Sequence, residues 1–177
     1  LLCGAPPEVI RRTLRSFPGV ERRFQFVHEG EFAIIDDHFA NPGNIDVTLE
    51  TLRYMDFAKL RLVYAIRGAR GVTVNRENAE AIADWLKKLE MDELVATRSV
   101  SHVTDKDRVT DDETRVFLDT MRDAGIRVRL YDELPDAIAD ALGGAGRGDL
   151  ILLAGCQGMD QGASIALDML RGDVHSN

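Results

Sequence analysis

F-A-I-I-D-D-H-F-A-N-P, residues 32–42, is the stretch around which the rest of this 177-residue chain can be organised. Phe32, Ala33, Ile34 and Ile35 form a short apolar run bounded by turn signals, the pattern of a strand in a sheet interior. Asp36 and Asp37 follow where that strand runs out. In an open α/β sheet the carboxyl ends of strands line the ligand crevice, so this acidic pair stands where a ligand would be met. Asn41-Pro42-Gly43 is a turn cluster, and Asn44 is expected to cap a helix opening there.

Working outward, the pattern alternates between strands and helices. Residues 6–16 predict a helix that starts at Pro6-Pro7 and is stopped by Ser16-Phe17-Pro18-Gly19. Phe24 to His28 alternates as a strand, and Glu29-Gly30-Glu31 turns it into Phe32, which predicts an antiparallel hairpin. Helical spacing runs from Asn44 to about Ala58, followed by a strand over Leu60–Ile66 and the loop Arg67-Gly68-Ala69-Arg70-Gly71. Asn75 is expected to cap a helix with Ala79, Ile82, Ala83, Leu86 and Leu89 on its inner face. Leu94–Thr97 reads as a strand and 98–108 as a polar loop. Thr110 with Glu113 forms a capping box for a helix over Asp111–Ala124. Ile126–Tyr131 is a strand, Leu134–Leu142 a helix, and Leu150–Ala154 an aliphatic strand of the kind covered on both faces. A glycine-rich loop (155–162), a helix (163–170) and a polar tail from Gly172 complete the chain. The alternation predicts an α/β fold: a doubly wound, mostly parallel, six-stranded Rossmann-like sheet with an N-terminal antiparallel hairpin strand.

Composition narrows the function classes. Apolar residues make up 45% and charged residues 29%, as in ordinary globular domains. The 22 basic and 30 acidic residues give a net charge of −8, which disfavours a nucleic-acid backbone as partner. Apolar runs are too short for a membrane span. Two cysteines, Cys3 and Cys156, lack metal-ligand spacing and suit a reduced, cytoplasmic setting, and His28, His38, His102 and His175 show no ligand spacing either. The opening Leu1-Leu2-Cys3, without an initiator Met, suggests a piece of something longer.

Three stretches carry a family resemblance. I-D-D-H-F-A-N-P (35–42) resembles the I-D-D-Y-A-H-N-P that opens the C-terminal domain of Mur ligases. P-G-V-E-R-R-F-Q (18–25) resembles that family's G-V-x-G-R-x-E, with Arg23 on the arginine and Arg22 where the pattern has glycine. D-L-I-L-L-A-G (149–155) resembles the D-x-V-L-x-A-G of its last parallel strand. The matches fall in the family's order and span most of the chain. Departures are Ala40 for the pattern's His, His38 for its Tyr and Gln25 for its Glu; in A-G-K-G-H-E the Lys and the His are missing, Cys156 following Gly155.

The resemblance implies the C-terminal domain (18–177) of an ATP-dependent ligase, with 1–17 as a connector helix from a central ATPase domain lying N-terminal to Leu1. The reaction it implies joins a carboxylate to an amine through an acyl phosphate, using ATP and Mg²⁺. The metal would be held mainly by the central domain, since two carboxylates alone give too few ligands. No G-x-x-x-x-G-K-[ST] occurs in the sequence, so the chain alone is not expected to hydrolyse ATP. The substrate pair is open: a peptidoglycan precursor, a folate, or a cofactor such as a tetrapyrrole.

Candidate residues follow. Asp37 would accept ribose hydroxyls with Asp36 behind it, the plain alternative being a solvated pair at a loop. Arg23 would meet the terminal phosphate, as a bidentate, always-charged guanidinium can, and Asn41 belongs to the same ATP-binding set. Its neighbour Arg22 leaves open which of the two turns inward. Arg67, Arg70, Arg98 and His102 lie at the ends of two parallel strands and could clamp the carboxylate of an incoming substrate; solvated loop residues are the alternative. Cys156, with no paired His, reads as a buried structural thiol. Two readings without catalysis stay open: a stand-alone nucleotide-binding module, and a regulatory domain that kept the fold.

Overall fold

The structure, a computed structural model, describes residues 4–17 and 19–174, of 173 and 174 the backbone only. The expectations that fall on Leu1–Cys3, Pro18 and His175 lie outside the described residues. The helices are α1 (Pro7–Ser16), α2 (Pro42–Leu52), α3 (Gly71–Lys88), α4 (Asp111–Asp123), α5 (Leu134–Gly143) and α6 (Gly162–Val174). The strands are β1 (Gln25–Glu29), β2 (Ala33–Asp37), β3 (Leu60–Ala65), β4 (Glu93–Thr97), β5 (Arg127–Tyr131) and β6 (Leu150–Gly155).

One six-stranded sheet runs in the order β1-β2-β6-β3-β4-β5. β1 pairs antiparallel with β2, and the other four pairings are parallel, as expected from the sequence. Successive side chains on a strand face opposite ways, which divides the core in two. Ile35, Leu62, Tyr64, Leu94 and Leu152 meet α2, α3 and α4 on one face. Ile34, Val63, Val95, Ile151 and Leu153 meet α5 and α6 on the other. Central β6 is therefore buried along its whole length, while edge strand β5 keeps Arg127 and Leu130 exposed.

β6 leaves the outer run of strands to slot between β2 and β3, and the winding reverses there. A crevice opens at the carboxyl ends of strands at such a switch point. Gly155 makes the close approach possible: at φ 153° a Cβ there would lie 2.8 Å from the Cβ of Ala65 on β3.

Several boundaries differ from the sequence reading. α2 begins at Pro42 with Asn41 as its cap, the Asn41 side chain accepting the Asn44 N–H at 3.1 Å, so Asn41 and not Asn44 is the capping residue. α2 ends at Leu52 rather than near Ala58, because Met55 and Phe57 pack against the core from a turn. α3 starts at Gly71, four residues before Asn75, which lies buried inside the helix. Asn75 instead clasps the end of β3: its Nδ2 donates to the Arg67 carbonyl at 2.8 Å and its Oδ1 accepts the Arg67 N–H at 3.3 Å. α6 continues through Gly172 to Val174.

Candidate functional site

Asp36 and Asp37 are the last two residues of β2, 1% and 6% exposed, and strand alternation sends them to opposite faces. Asp37 turns toward α2. Its Oδ1 accepts the N–H groups of Phe24 (3.1 Å) and His38 (2.8 Å), and its Oδ2 accepts the Thr48 hydroxyl. A carboxylate has about four acceptor directions, so Oδ2 keeps capacity for roughly one further donor.

Asp36 turns toward β6 and meets Arg22. Burial raises its carboxyl to about 6, against the lowering effect of the Arg22 guanidinium and with smaller upward pushes from Asp37 and Asp160. Arg22, 12% exposed, uses all three guanidinium nitrogens on protein acceptors. Nε faces both Asp36 oxygens at 3.3 Å, Nη1 donates to the Cys156 carbonyl (3.2 Å) and to Asp160, and Nη2 donates to the Gly155 carbonyl at 2.7 Å. Of the two adjacent arginines it is Arg22 that turns inward.

Arg23 points outward and lines a shallow hollow of about 460 Å³ with Phe24, Asp37, His38, Asn44, Val47 and Thr48. His38 is held below its ordinary value, first by burial and then by the cationic Arg22, Arg23 and Arg67. A second cavity of about 280 Å³ lies at the other end of the sheet, around Leu60, Met91 and Leu94, far from the strand ends that carry these groups.

The four remaining candidates stand along the same rim without converging on one point. Arg67 reaches across to the Ala40 carbonyl beyond β2, and its buried Nε has no partner among the described residues. Arg70 pairs with Asp107 at 3.2 Å. Arg98 pairs with Asp111 (3.2 Å) and Asp132 (3.5 Å), and His102 Nδ1 lies 3.6 Å from Glu133. Cys156 is buried, its thiol donating to the Phe39 carbonyl at 3.2 Å; burial pushes the thiol up and leaves it a poor nucleophile.

Sequence reasoning missed two supports of this rim. Glu113, 2% exposed, does more than close its capping box with Thr110: its carboxylate also accepts the N–H groups of Ala69 (3.2 Å), Arg70 (2.8 Å) and Gly71 (2.7 Å). It thereby caps α3, whose own N-cap residue, Arg70, supplies no side-chain bond. Ser99, buried after β4, donates its hydroxyl to the Gly158 carbonyl at 2.7 Å and so ties β4 to the loop after β6. Only the capping-box spacing at 110–113 was a signal for either. Arg22, Phe24, Ala69 and Ser99 all have φ between 48° and 53°, and all four lie beside the strand ends. Left-handed backbone in non-glycine residues is costly and gathers at functional sites.

Comparison with known proteins identifies the family and the fold. The family model for "Mur ligase, glutamate ligase domain" matches residues 22–157. The UDP-N-acetylmuramoyl-L-alanyl-D-glutamate–2,6-diaminopimelate ligase of Listeria monocytogenes is 29% identical over 157 residues, 85% of this chain and 29% of that protein. The UDP-N-acetylmuramate–L-alanine ligase of Solibacter usitatus is 29% identical over 93% of this chain and 34% of its own length. The crystal structure of the Thermotoga maritima UDP-N-acetylmuramate–alanine ligase superimposes over 97% of this chain and 35% of its own, with a TM-score of 0.66 at 19% identity. Mycobacterium tuberculosis folylpolyglutamate synthase, solved with ADP and AMPPCP, covers 96% of this chain and 36% of its own, with a TM-score of 0.63 at 16% identity. The chain thus spans about a third of the length of the proteins it matches. It belongs to the Mur ligase family, as the glutamate ligase domain of that family.

Proposed function

We propose that this domain closes over ATP in a ligase that forms an amide from a carboxylate and an amine. The observation that carries the reading is that Arg23 and Asp37 line one hollow at the carboxyl end of β2, in a chain of this family. Arg23 contacts the phosphates. Asp37 takes one ribose hydroxyl on Oδ2, its other acceptor directions being occupied. Asp36 stands behind as the partner of Arg22, and Asn41 holds the turn beneath the nucleotide by capping α2.

ATP transfers its γ-phosphoryl group to the substrate carboxylate, releasing ADP. The amine then attacks the acyl phosphate, losing a proton, and inorganic phosphate leaves as the amide forms. This domain contributes positioning and charge rather than a nucleophile. The incoming amine's own carboxylate meets the rim along which Arg67, Arg70, Arg98 and His102 stand; the buried Nε of Arg67 and of Arg98 has no hydrogen-bond partner among the described residues.

Among the described residues no group of three or more His, Cys, Asp or Glu could hold a metal ion. The reading leaves Mg²⁺ mainly to a central ATPase domain, as the resemblance implies. α1 supports the same division, since none of its residues is buried and Leu14 is 68% exposed, as expected of a connector that packs elsewhere. No described helix is long and apolar enough to cross a membrane; the use of ATP suits the cytoplasm.

Cys156, in place of the pattern's Lys, favours the second reading, a nucleotide-binding or regulatory domain without catalysis. ADP release by the intact protein separates the two. Release that requires both a carboxylate and an amine, and that weakens in Arg23→Gln, supports the ligase. Nucleotide binding with no substrate-dependent release leaves the second reading standing.

A further inference from the structure

Arg22 and Arg23 adjoin in sequence and point opposite ways. The turn that carries them is closed by the Arg23 N–H on the Val20 carbonyl at 3.0 Å, and the Arg22 N–H donates to Gln25 Oε1 at 3.0 Å. Just past the turn, the Phe24 N–H reaches Asp37. We propose that Arg22 is a positioning residue for the nucleotide: it clamps the Val20–Phe24 turn onto the ends of β2 and β6, and so fixes where Arg23 stands beside Asp37. The inference rests on the ligase reading above.

Three observations carry it. All three Arg22 guanidinium nitrogens donate to protein acceptors on separate segments: Asp36 on β2, the Gly155 and Cys156 carbonyls at the end of β6, and Asp160 beyond it. Four of its five N–H donors are engaged in this way. Its backbone is left-handed, φ 53°, at the position where the resembling pattern has glycine. A non-glycine residue in that conformation has to be held by its surroundings, and here the guanidinium holds it. The clamp also demands a planar fork: a lysine ammonium is a point charge with three donors and cannot reach both carboxylates and both carbonyls at once.

The test compares Arg22→Gln, Arg22→Lys and Arg23→Gln in the intact enzyme that carries this chain, with hydrogen exchange followed at the Arg23 and Phe24 amides. Arg22→Gln is expected to raise KM for ATP about tenfold, to change kcat less than about threefold, and to speed exchange at both amides. Arg22→Lys, which keeps the charge and protects the experiment against a misfolded Gln variant, is expected to recover only part of each effect. Arg23→Gln is expected to raise KM for ATP while exchange at Phe24 stays as in the wild type. If Arg22→Gln frees the two amides yet leaves KM for ATP unchanged while Arg23→Gln raises it, the positioning role is overturned and the ligase reading survives. If Arg23→Gln does not affect ATP use, the role of Arg23 falls and this inference falls with it.

Discussion

Glu113→Ala removes one carboxylate that accepts five hydrogen bonds, and its cost can be worked from the structure. Two come from Thr110: its N–H (2.9 Å), the Glu113 half of the capping box, and its hydroxyl (3.1 Å); the N-cap bond proper, from the Glu113 N–H to Thr110 Oγ1 at 3.2 Å, survives in the variant, so the loss here is about 1 kcal/mol. The other three come from the Ala69, Arg70 and Gly71 N–H groups at the start of α3. Charge-assisted bonds of this kind are worth about 1.5–3 kcal/mol each when nothing replaces them. These three residues are exposed, so water takes over much of that, leaving about 2 kcal/mol for the loop. A total of about 3 kcal/mol lowers Tm by roughly 6–12 °C in a chain of this size.

The pH dependence gives the same prediction a sign. Burial alone would raise the Glu113 carboxyl, but the N–H groups of Thr110, Gly71, Arg70 and Ala69 together outweigh it and hold it below its ordinary value. A lowered carboxyl stabilises the fold fully above its unfolded pKa and loses that contribution as pH falls through the folded value. Melting curves of wild type and Glu113→Gln should therefore stand apart at pH 7 and converge in acid. A melt of Glu113→Ala within about 2 °C of wild type at pH 7 would refute the reasoning, since less than about 1 kcal/mol would then be at stake.

Asp36 should behave in the opposite sense. Its carboxyl is raised from 3.8 to about 6, so the folded state holds the proton more tightly. At about 1.4 kcal/mol per pH unit, its share of stability falls by roughly 3 kcal/mol between pH 4 and 6. Urea unfolding across that range should show the decline in wild type and lose it in Asp36→Asn. Gly155→Ala should cost about 2–3 kcal/mol by urea unfolding, because the new methyl collides with Ala65 and sits on a backbone that side chains avoid. Thr48→Val should cost about 1–2 kcal/mol, since buried Thr48 donates to Asp37 and the loss leaves Oδ2 short of a partner.

What the sequence made legible was local. The apolar runs of β3 and β6, the capping box at Thr110 and Glu113, and the turn cluster after Asp37 all act within a few residues, and each yielded its element. The rule that ligands gather at carboxyl ends of strands led to Asp36 and Asp37 without any contact being known. The errors arose where the deciding partner was distant in sequence or lay outside regular structure. α3 starts earlier than the local sequence predicts because its cap is supplied by Glu113, 43 residues beyond Arg70. α2 ends earlier than its helical spacing predicts: Met55 keeps that spacing but packs against the core from beyond the helix end. The split between Arg22 and Arg23 depends on carbonyls of Gly155 and Cys156, more than 130 positions away, and no pattern around Val20 encodes them.

The most direct test of the central claim is photolabelling of the intact protein with an azidoadenosine triphosphate in the presence of Mg²⁺, followed by peptide mapping. The account predicts ATP-displaceable label on the peptides that line the hollow, around Arg23–Phe24 and His38–Thr51. Label confined to the far end of the sheet around Met91, or no ATP-displaceable label in this chain, would contradict it.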